Sequence, residues 1–464
     1  TLTAWVKLTV DHDDDTRFFI HYSQTEAISP DPAANVWTNY VAVNHLKDEV
    51  NNNNHGSREM VGSKGDGKDS WNSKNMSPNA SHNSGQIAGK IGYGLEFDGS
   101  NDRLCLDDIN SDGAFDCSGG GSSSSHFDTE QPNRTVEFWY WAQNVATGDV
   151  VKAMFDGASR NDGQSIYIYN SEIYAVNDRD GAQHLAYVKD DTTQQEWHHV
   201  AFVTDGASTE NTGSGKIILY HDGVNVHERA EDEEGNSGIQ VDNNTDPSAL
   251  GGIFGKARDH NENSLTGSGR FFDGKLDEFR VTNSVLSADY IKTSYNTQND
   301  PDNFVREGIF LSESISLTVS TTEDKLVVGE NVIIRESIGV TDSVTTLSND
   351  DIGTLWSKKV LTTNSTMITG SGSSLTGLPV LVELENDPHL STGNVGSNGE
   401  GIRFTSDGTT FLDFEIERYT AGVDEGSLIA WVEIPTLSAS ADTRFYIHYG
   451  NDGSVYKMDR SSQV

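Results

Sequence analysis

The segment VEFWYWAQ at 136–143 decides the fold. In an extended chain Trp139 and Trp141 fall on one side, Phe138 and Tyr140 on the other. Aromatic and β-branched residues at this density suit a pleated strand. Working outward, IYIY (166–169), HVAFVT (199–204), KIILYH (216–221) and LDEFRV (276–281) are built alike. Each is short and bounded by Gly, Asn, Asp or Ser. Asp222-Gly223, Asp273-Gly274 and Asp407-Gly408 read as turns that close such runs. Only LSADYIKTSYNTQ (286–298) has helical spacing, with Leu286, Tyr290, Ile291 and Tyr295 along one face and Ser287 as N-cap. The expected class is all-β.

The chain has 464 residues, enough for two to four domains, and a formal charge of −39 from 71 acidic and 32 basic side chains. That charge excludes a nucleic-acid binder held by phosphate neutralisation and disfavours docking on an anionic membrane. It suits divalent cations and salty water. Aromatics at 9% argue against wholesale disorder. There is no apolar run of about 18 residues, so no direct membrane insertion is expected. The first residue is Thr1, which predicts a processed chain or an excerpt of a longer one.

An internal repeat organises the rest. LTAWVKLTVDHDDDTRFFIHY (2–22) recurs as LIAWVEIPTLSASADTRFYIHY (428–449), with Trp5 matching Trp431 and His21-Tyr22 matching His448-Tyr449. The offset is 426 or 427, with one residue inserted in the second copy. A smaller repeat sets ESISLT (313–318) against ESIGVT (336–341). The boundaries that follow are 1–40 for the end of one β-sandwich module and 41–304 for a large sandwich. Residues 305–353 make a β connector, and 354–464 the next copy of the module.

Several residues invite a chemical reading. Asp108-x-Asn110-x-Asp112-Gly113-x-x-Asp116 places oxygen ligands on alternate residues with glycine at the sixth position, a calcium-loop pattern. Asp108, Asn110 and Asp112 would supply side chains, Ala114 its carbonyl, and Asp116 a direct or water-mediated ligand. Gly119 stands where the bidentate Glu belongs, so a further ligand must come from Asp102 or Asp107. Cys105 and Cys117 bracket this loop as a disulfide, a reduced pair or half a metal site; their spacing does not fit zinc. A disulfide would imply an oxidising, extracellular setting. Trp139, Trp141, Tyr167 and Tyr169 are candidates for stacking on sugar rings, against the alternative that core and loops cover them. Asp413-x-Glu415-x-Glu417 reads as a solvated strand face; its rival reading is a glycosidase carboxylate pair. His198 and His199 leave their strand on opposite sides and cannot hold one ion together. No catalytic constellation is present, and the chain is expected not to be an enzyme.

The order VNHLKDE (43–49), GKIGYGLEFDGSNDRL (89–104), VEFWYWAQ, EWHHVAFV (196–203), KIILYHDGV (216–224) and FFDGKLDEFRV (271–281) resembles the laminin-G-like jelly roll of the concanavalin A-like superfamily. TGLPVLVELENDP (376–388), FLDFEIERY (411–419) and AWVEIP (430–435) resemble a domain of unknown function that precedes such jelly rolls in prokaryotic surface proteins. The ESI-x-[LV]-T linker resembles repeats of very long archaeal surface proteins. The resemblance implies that Asp277, beside Asp98 and Asp102, contributes to structural calcium. It also implies an extracellular, cell-surface, multi-copy architecture. The function expected is a structural repeat of a filament, sheath or stalk, joined head to tail to copies of itself and stiffened by calcium. The alternative is a glycan-binding adhesin using the jelly-roll face.

Overall fold

Strand Asn133–Ala142 is buried on both faces from Arg134 to Tyr140 in the computed structural model. The structure describes residues 36–46, 60–61, 70–71, 87–100, 102, 104–105, 132–148, 150–158, 163–178, 185–206, 215–231, 235, 249–252, 260, 270–311, 357–370, 374–399, 401–408 and 410–450. The all-β class holds: two antiparallel sheets form a jelly-roll sandwich, and a second, smaller sandwich follows it. The ten-stranded sheet runs Val224–Arg229, Lys216–His221, Trp197–Asp205, Asn133–Ala142, Asp273–Thr282, Ala42–Asn44, Met60–Val61, Ser70–Trp71. Tyr93–Asp98 also pairs with Asp273–Thr282, and Ile87–Ala88 with Tyr93–Asp98. The six-stranded sheet runs Ala186–Asp191, Glu172–Asp178, Gly163–Tyr169, Lys152–Ala158, Ala249–Leu250, Leu104–Cys105.

Alternation along the strands makes the core between these sheets. Val136, Phe138 and Tyr140 meet Phe155, Ile166, Ile168, Val200, Phe202, Leu276 and Phe279 there. The other face of Asn133–Ala142 is not solvated. Helix Ala288–Asn299, capped by Ser287 at the amide of Tyr290, lies over it as the helical spacing predicts. Trp139 is fully buried beneath that helix, donates to Gln298 Oε1 at 2.7 Å and stacks on Tyr295 at 5.6 Å. A helix laid on one sheet face explains why aromatic residues occupy both faces of this strand from Phe138 to Trp141. Two short helices, Pro301–Phe304 and Thr392–Val395, had no helical spacing to announce them.

In the second sandwich, Leu378–Asp387, Gly426–Ile434 and Phe414–Thr420 form one sheet. Val305–Leu311, Ser357–Thr363, Arg444–Tyr449 and Ile402–Thr405 form the other. Two expected boundaries move. Val305–Leu311, assigned to the connector, is the edge strand of this second sandwich, paired with Ser357–Thr363. Val36, Trp37 and Tyr40, assigned to the N-terminal module, are buried between the two sandwiches. The ESI repeats and residues 1–35 lie outside the described residues.

Asp222-Gly223 is a hairpin turn with both φ angles positive, 50° and 72°. Asp273-Gly274 is not a turn: it opens strand Asp273–Thr282, paired to Asp98 and Phe97 on one side. Glycine is needed there for close approach, since a Cβ on Gly274 would lie 2.2 Å from the Trp141 carbonyl oxygen and 2.7 Å from the Phe272 ring. Backbone cannot swing aside as a side chain can. Gly274→Ala is therefore expected to lower stability by about 2 kcal/mol or more, read as a shift in denaturant midpoint at constant slope. An unshifted midpoint would contradict this packing.

Candidate functional site

Two β-bulges meet where the sandwiches touch. In the jelly roll, the register of Asp273–Thr282 against Asn133–Ala142 shifts between Asp277 and Arg280, and Glu278 takes a φ of 51°. In the second sandwich, the register of Phe414–Thr420 against Gly426–Ile434 shifts between Ile416 and Arg418, with Glu417 at the bulge. A bulge adds a residue to one strand and re-aims its side chains. Here the two bulges bring carboxylates from both sandwiches around one imidazole, His45. The positive φ at Glu278 is a strained conformation for a residue with a Cβ, held by what surrounds it.

His45 Nδ1 lies 2.7 Å from Glu278 Oε1 and 3.8 Å from Glu417 Oε2; its Nε2 lies 3.2 Å from Glu415 Oε2. Arg280 donates to Glu278 Oε2 at 2.5 Å and lies between the rings of Trp37 and Trp431, 4.7 and 4.4 Å from their centroids. Both indoles donate in turn: Trp37 Nε1 to Glu415 Oε2 at 2.7 Å, Trp431 Nε1 to Glu417 Oε2 at 2.9 Å. Glu137 accepts from Tyr40 at 2.6 Å and faces His199 Nε2 at 3.4 Å. Every one of these side chains is buried.

Burial alone would lower the His45 pKa, but the Glu278 and Glu415 carboxylates outweigh it and hold the imidazole well above its ordinary range. Burial would raise Glu278, yet His45 and Arg280 hold it low and ionised. Asp277 goes the other way. Burial and then the charges of Glu278 and Glu417 push it well above the carboxylate range, although the Ile91 and Glu278 amides donate to it. Asp277 is the member raised, and Glu278 the one lowered, because Glu278 and not Asp277 faces the two cations. His45, Glu278 and Glu417 also bring one donor atom each within 4.8 Å of the others, a spacing able to take a cation where His45 now shares its proton.

Several expectations are corrected here. Glu415 and Glu417 are no solvated face; they are about 7% and 8% exposed and hydrogen-bonded across the junction. Asp277 is not beside Asp102. Asp98, whose amide donates to Asp102 Oδ2 at 3.0 Å, pairs with Asp273. Asp277 is four residues further along, roughly 13 Å away. Asp108, Asn110, Asp112, Ala114, Asp116 and Cys117 lie outside the described residues, and Cys105 is described only as strand backbone. The aromatic candidates divide. Trp139, fully buried, and Trp141 stand on the outer face of the ten-stranded sheet; Tyr167 and Tyr169 stand on the outer face of the other sheet. They cannot form one sugar platform. Tyr167 is itself covered by His260, which also stacks on Tyr174 at 4.1 Å.

The residues that sequence reasoning missed are Trp37, His45, Glu137 and Arg280. A signal existed: Glu137 lies between Val136 and Phe138, and Arg280 between Phe279 and Val281, and a charge set among core residues calls for a buried counter-charge.

Removing one partner of a buried ion pair leaves the other uncompensated. Arg280→Ala is therefore expected to cost about 3–5 kcal/mol in chemical denaturation, and a loss below 1 kcal/mol would refute the network. The pH response has a definite sign. His45 has a folded pKa above its unfolded 6.5, so its contribution is complete below that value and lost as pH rises through the folded one. Asp277, also raised, loses its contribution in the same direction from 3.8 upward; Glu278, lowered, loses its own as pH falls below 4.5. The melting temperature should fall on the alkaline side of about pH 7, and His45→Gln should flatten that limb. An identical limb in the variant would remove His45 from the account.

Residues 98–292, less than half of the chain, match the family model described as the concanavalin A-like lectin/glucanases superfamily. No curated protein matches the sequence. Among solved structures, the receptor binding domain of botulinum neurotoxin D is similar at 11% identity and TM-score 0.37, over 90% of this chain and 98% of that one. The botulinum neurotoxin type G receptor binding domain is similar at 9% identity and TM-score 0.35, over 56% of this chain. This chain spans about half (51%) of its length. The carbohydrate-binding domain CBM40 of the Ruminococcus gnavus IT-sialidase is similar at 13% identity and TM-score 0.29, over 43% of this chain and 94% of that one. The match to the concanavalin A-like superfamily model thus falls within the larger sandwich, which is where this chain is similar to laminin-G-like domains.

Proposed function

We propose that this chain is a stiff structural segment of an extracellular surface protein. The jelly roll and the sandwich after it act as one body, and such units, joined head to tail to further copies, build a filament, sheath or stalk. The observation that carries this reading is the buried junction. Tandem domains joined for mobility meet through small, wet, polar contacts. Here Trp37, His45, Glu278 and Arg280 on one side lock onto Glu415, Glu417 and Trp431 on the other with no solvent between. A joint of this kind suits transmission of force or fixed spacing. The acidic surface and the repeat at 2–22 and 428–449 support the same reading. Calcium at 108–116 would stiffen the unit further. We propose no catalysis: Glu415 and Glu417, the carboxylates most like a glycosidase pair, are buried against the jelly roll, where no sugar can reach them.

A second reading, glycan adhesion, has one observation in its favour. On the outer face of the six-stranded sheet, half-buried Tyr169 and Tyr187 surround His260, beside the Glu172–Lys189 pair at 2.6 Å. An aromatic surface with a polar rim is what a sugar ring requires.

Calorimetry tests the first reading. The two described sandwiches should melt in one cooperative transition, Arg280→Ala should split it in two, and chelation of calcium should lower it. Two transitions in the unaltered protein would end the rigid-body reading, and an unmoved transition on chelation would end the role of calcium. Binding on a glycan array that vanishes in Tyr187→Ala would move the balance to adhesion.

A further inference from the structure

At the end of the ten-stranded sheet where strand Trp197–Asp205 begins and Lys216–His221 finishes, three further side chains converge. His198 begins strand Trp197–Asp205, His221 ends strand Lys216–His221, and Asp222 opens the turn after it. Val200 pairs with His221, so His198, two residues back, leaves the sheet on the same face as Val200. The two imidazoles lie 5.0 Å apart between centroids. One donor atom from each of His198, His221 and Asp222 lies within 4.8 Å of the other two. We propose that these three residues bind a divalent transition-metal cation of the zinc class.

The chemistry favours that class. Two imidazole nitrogens and one carboxylate oxygen suit a borderline cation, whereas calcium and magnesium ask for oxygen throughout. Three protein ligands leave a fourth position for water, and the site has an open side for it. The His198 and His221 side chains are 12% and 7% exposed, and that of Asp222 is 37% exposed. Binding would displace the proton that His198 Nδ1 and Asp222 Oδ2 now share at 2.9 Å. Two ligands of one zinc stand about 3.3 Å apart, so a small side-chain rotation is enough.

The surroundings are those of a built site. Asp222 is fixed by its left-handed φ of 50°, by its amide on the His199 carbonyl at 2.8 Å and by its Oδ1, which accepts from the His199 amide at 2.8 Å. Lys292 of the covering helix donates to its carbonyl at 3.2 Å. His221 Nδ1 meets Asp190 Oδ2 at 2.8 Å, the carboxylate–histidine pairing that orients metal ligands, and its Nε2 meets the Tyr140 hydroxyl at 2.9 Å. His198 Nε2 meets Thr193 Oγ1 at 2.8 Å, with Glu196 at 3.7 Å. Asp190 belongs to the six-stranded sheet and both histidines to the ten-stranded one, so the ion would clip the two sheets together at their edge.

The test is titration of metal-free full-length chain with zinc by calorimetry and with cobalt by visible absorption. Cys105 and Cys117 are alkylated and magnesium is in excess, to exclude thiolate and loosely acidic sites. One equivalent should bind, with the absorption of low-coordinate cobalt. Asp222→Asn, which keeps a residue tolerant of positive φ, should weaken zinc at least tenfold with an unchanged metal-free melting temperature. The His198→Gln/His221→Gln pair should abolish the cobalt band, and His389→Gln in the other sandwich should leave it intact. No saturable binding to the unaltered chain overturns the proposal. So does zinc affinity unchanged in Asp222→Asn.

Discussion

A guanidinium held between two indoles is the contact on which the arrangement of the two sandwiches depends. Arg280 leaves the outer face of the ten-stranded sheet, where a solvated jelly roll would have put a charge into water. Instead Trp37 and Trp431 cover its planes and Glu278 takes its edge. Arg is suited to this in a way that Lys is not, since its planar, weakly hydrated cation stacks on aromatics while its rim still donates. Once Arg280 is buried, the rest follows as a chain of compensations. Glu278 neutralises it, His45 shares Glu278, and Glu415 and Glu417 face His45 from the other sandwich. Each member is tolerable only because the next is present. An apolar interface of the same area would hold at least as well. What the ionic network adds is uniqueness of docking, because a shift of one residue along either strand would strand several charges without partners.

The bulges supply the geometry this requires. In a regular strand successive side chains alternate, so Asp277 and Glu278 would point to opposite faces and only one could enter the junction. The shift between Asp277 and Arg280 breaks that alternation: Asp277, Glu278 and Arg280 all face the second sandwich's side, while Phe279 still reaches the core. In Phe414–Thr420 the same device brings Glu417 to Trp431 and sets the Arg418 guanidinium 5.4 Å from the Tyr93 ring centroid. Two irregularities, each a small local cost, together make a site that neither sandwich forms alone.

How much of this could be read in the sequence follows from the same physics. Alternation and turn residues made the strands, the class and the helix at 288–299 legible, because period and capping are local. The jelly roll was legible as an ordered set of strand motifs. The junction was not. A bulge is decided by what the strand packs against, so Glu417 and Glu278 give no local sign of it. In a chain with 71 carboxylates, solvation is the ordinary reading of Glu415 and Glu417, and only their partners 370 to 378 residues away overturn it. The placement of Asp277 beside Asp98 and Asp102 failed for the same reason: its sequence neighbours were counted, while its strand position, four residues beyond the pairing of Asp98, was not. For Trp139 the alternative of coverage holds, and the helix expected at 286–298 is what covers it.

The internal repeat gains a physical meaning from the described copy. Its two strands, Gly426–Ile434 and Arg444–Tyr449, are the middle strands of the two sheets of the second sandwich, each hydrogen-bonded on both sides. They therefore carry the pattern that every neighbour must match. Trp431, the counterpart of Trp5, lies in the first of them and reaches out of the sandwich to the junction, while Tyr449, the counterpart of Tyr22, donates to Asp387 Oδ2 at 2.9 Å inside it. The one-residue difference between the copies falls between Trp431 and Thr443, across the connection that follows Ile434. Within either strand the same insertion would turn every later side chain to the opposite face, sending Trp431 or Tyr449 to the wrong side. In the connection it leaves both registers intact. The repeat thus tolerates change where the loop absorbs it and keeps the tryptophan whose position ties one sandwich to the next.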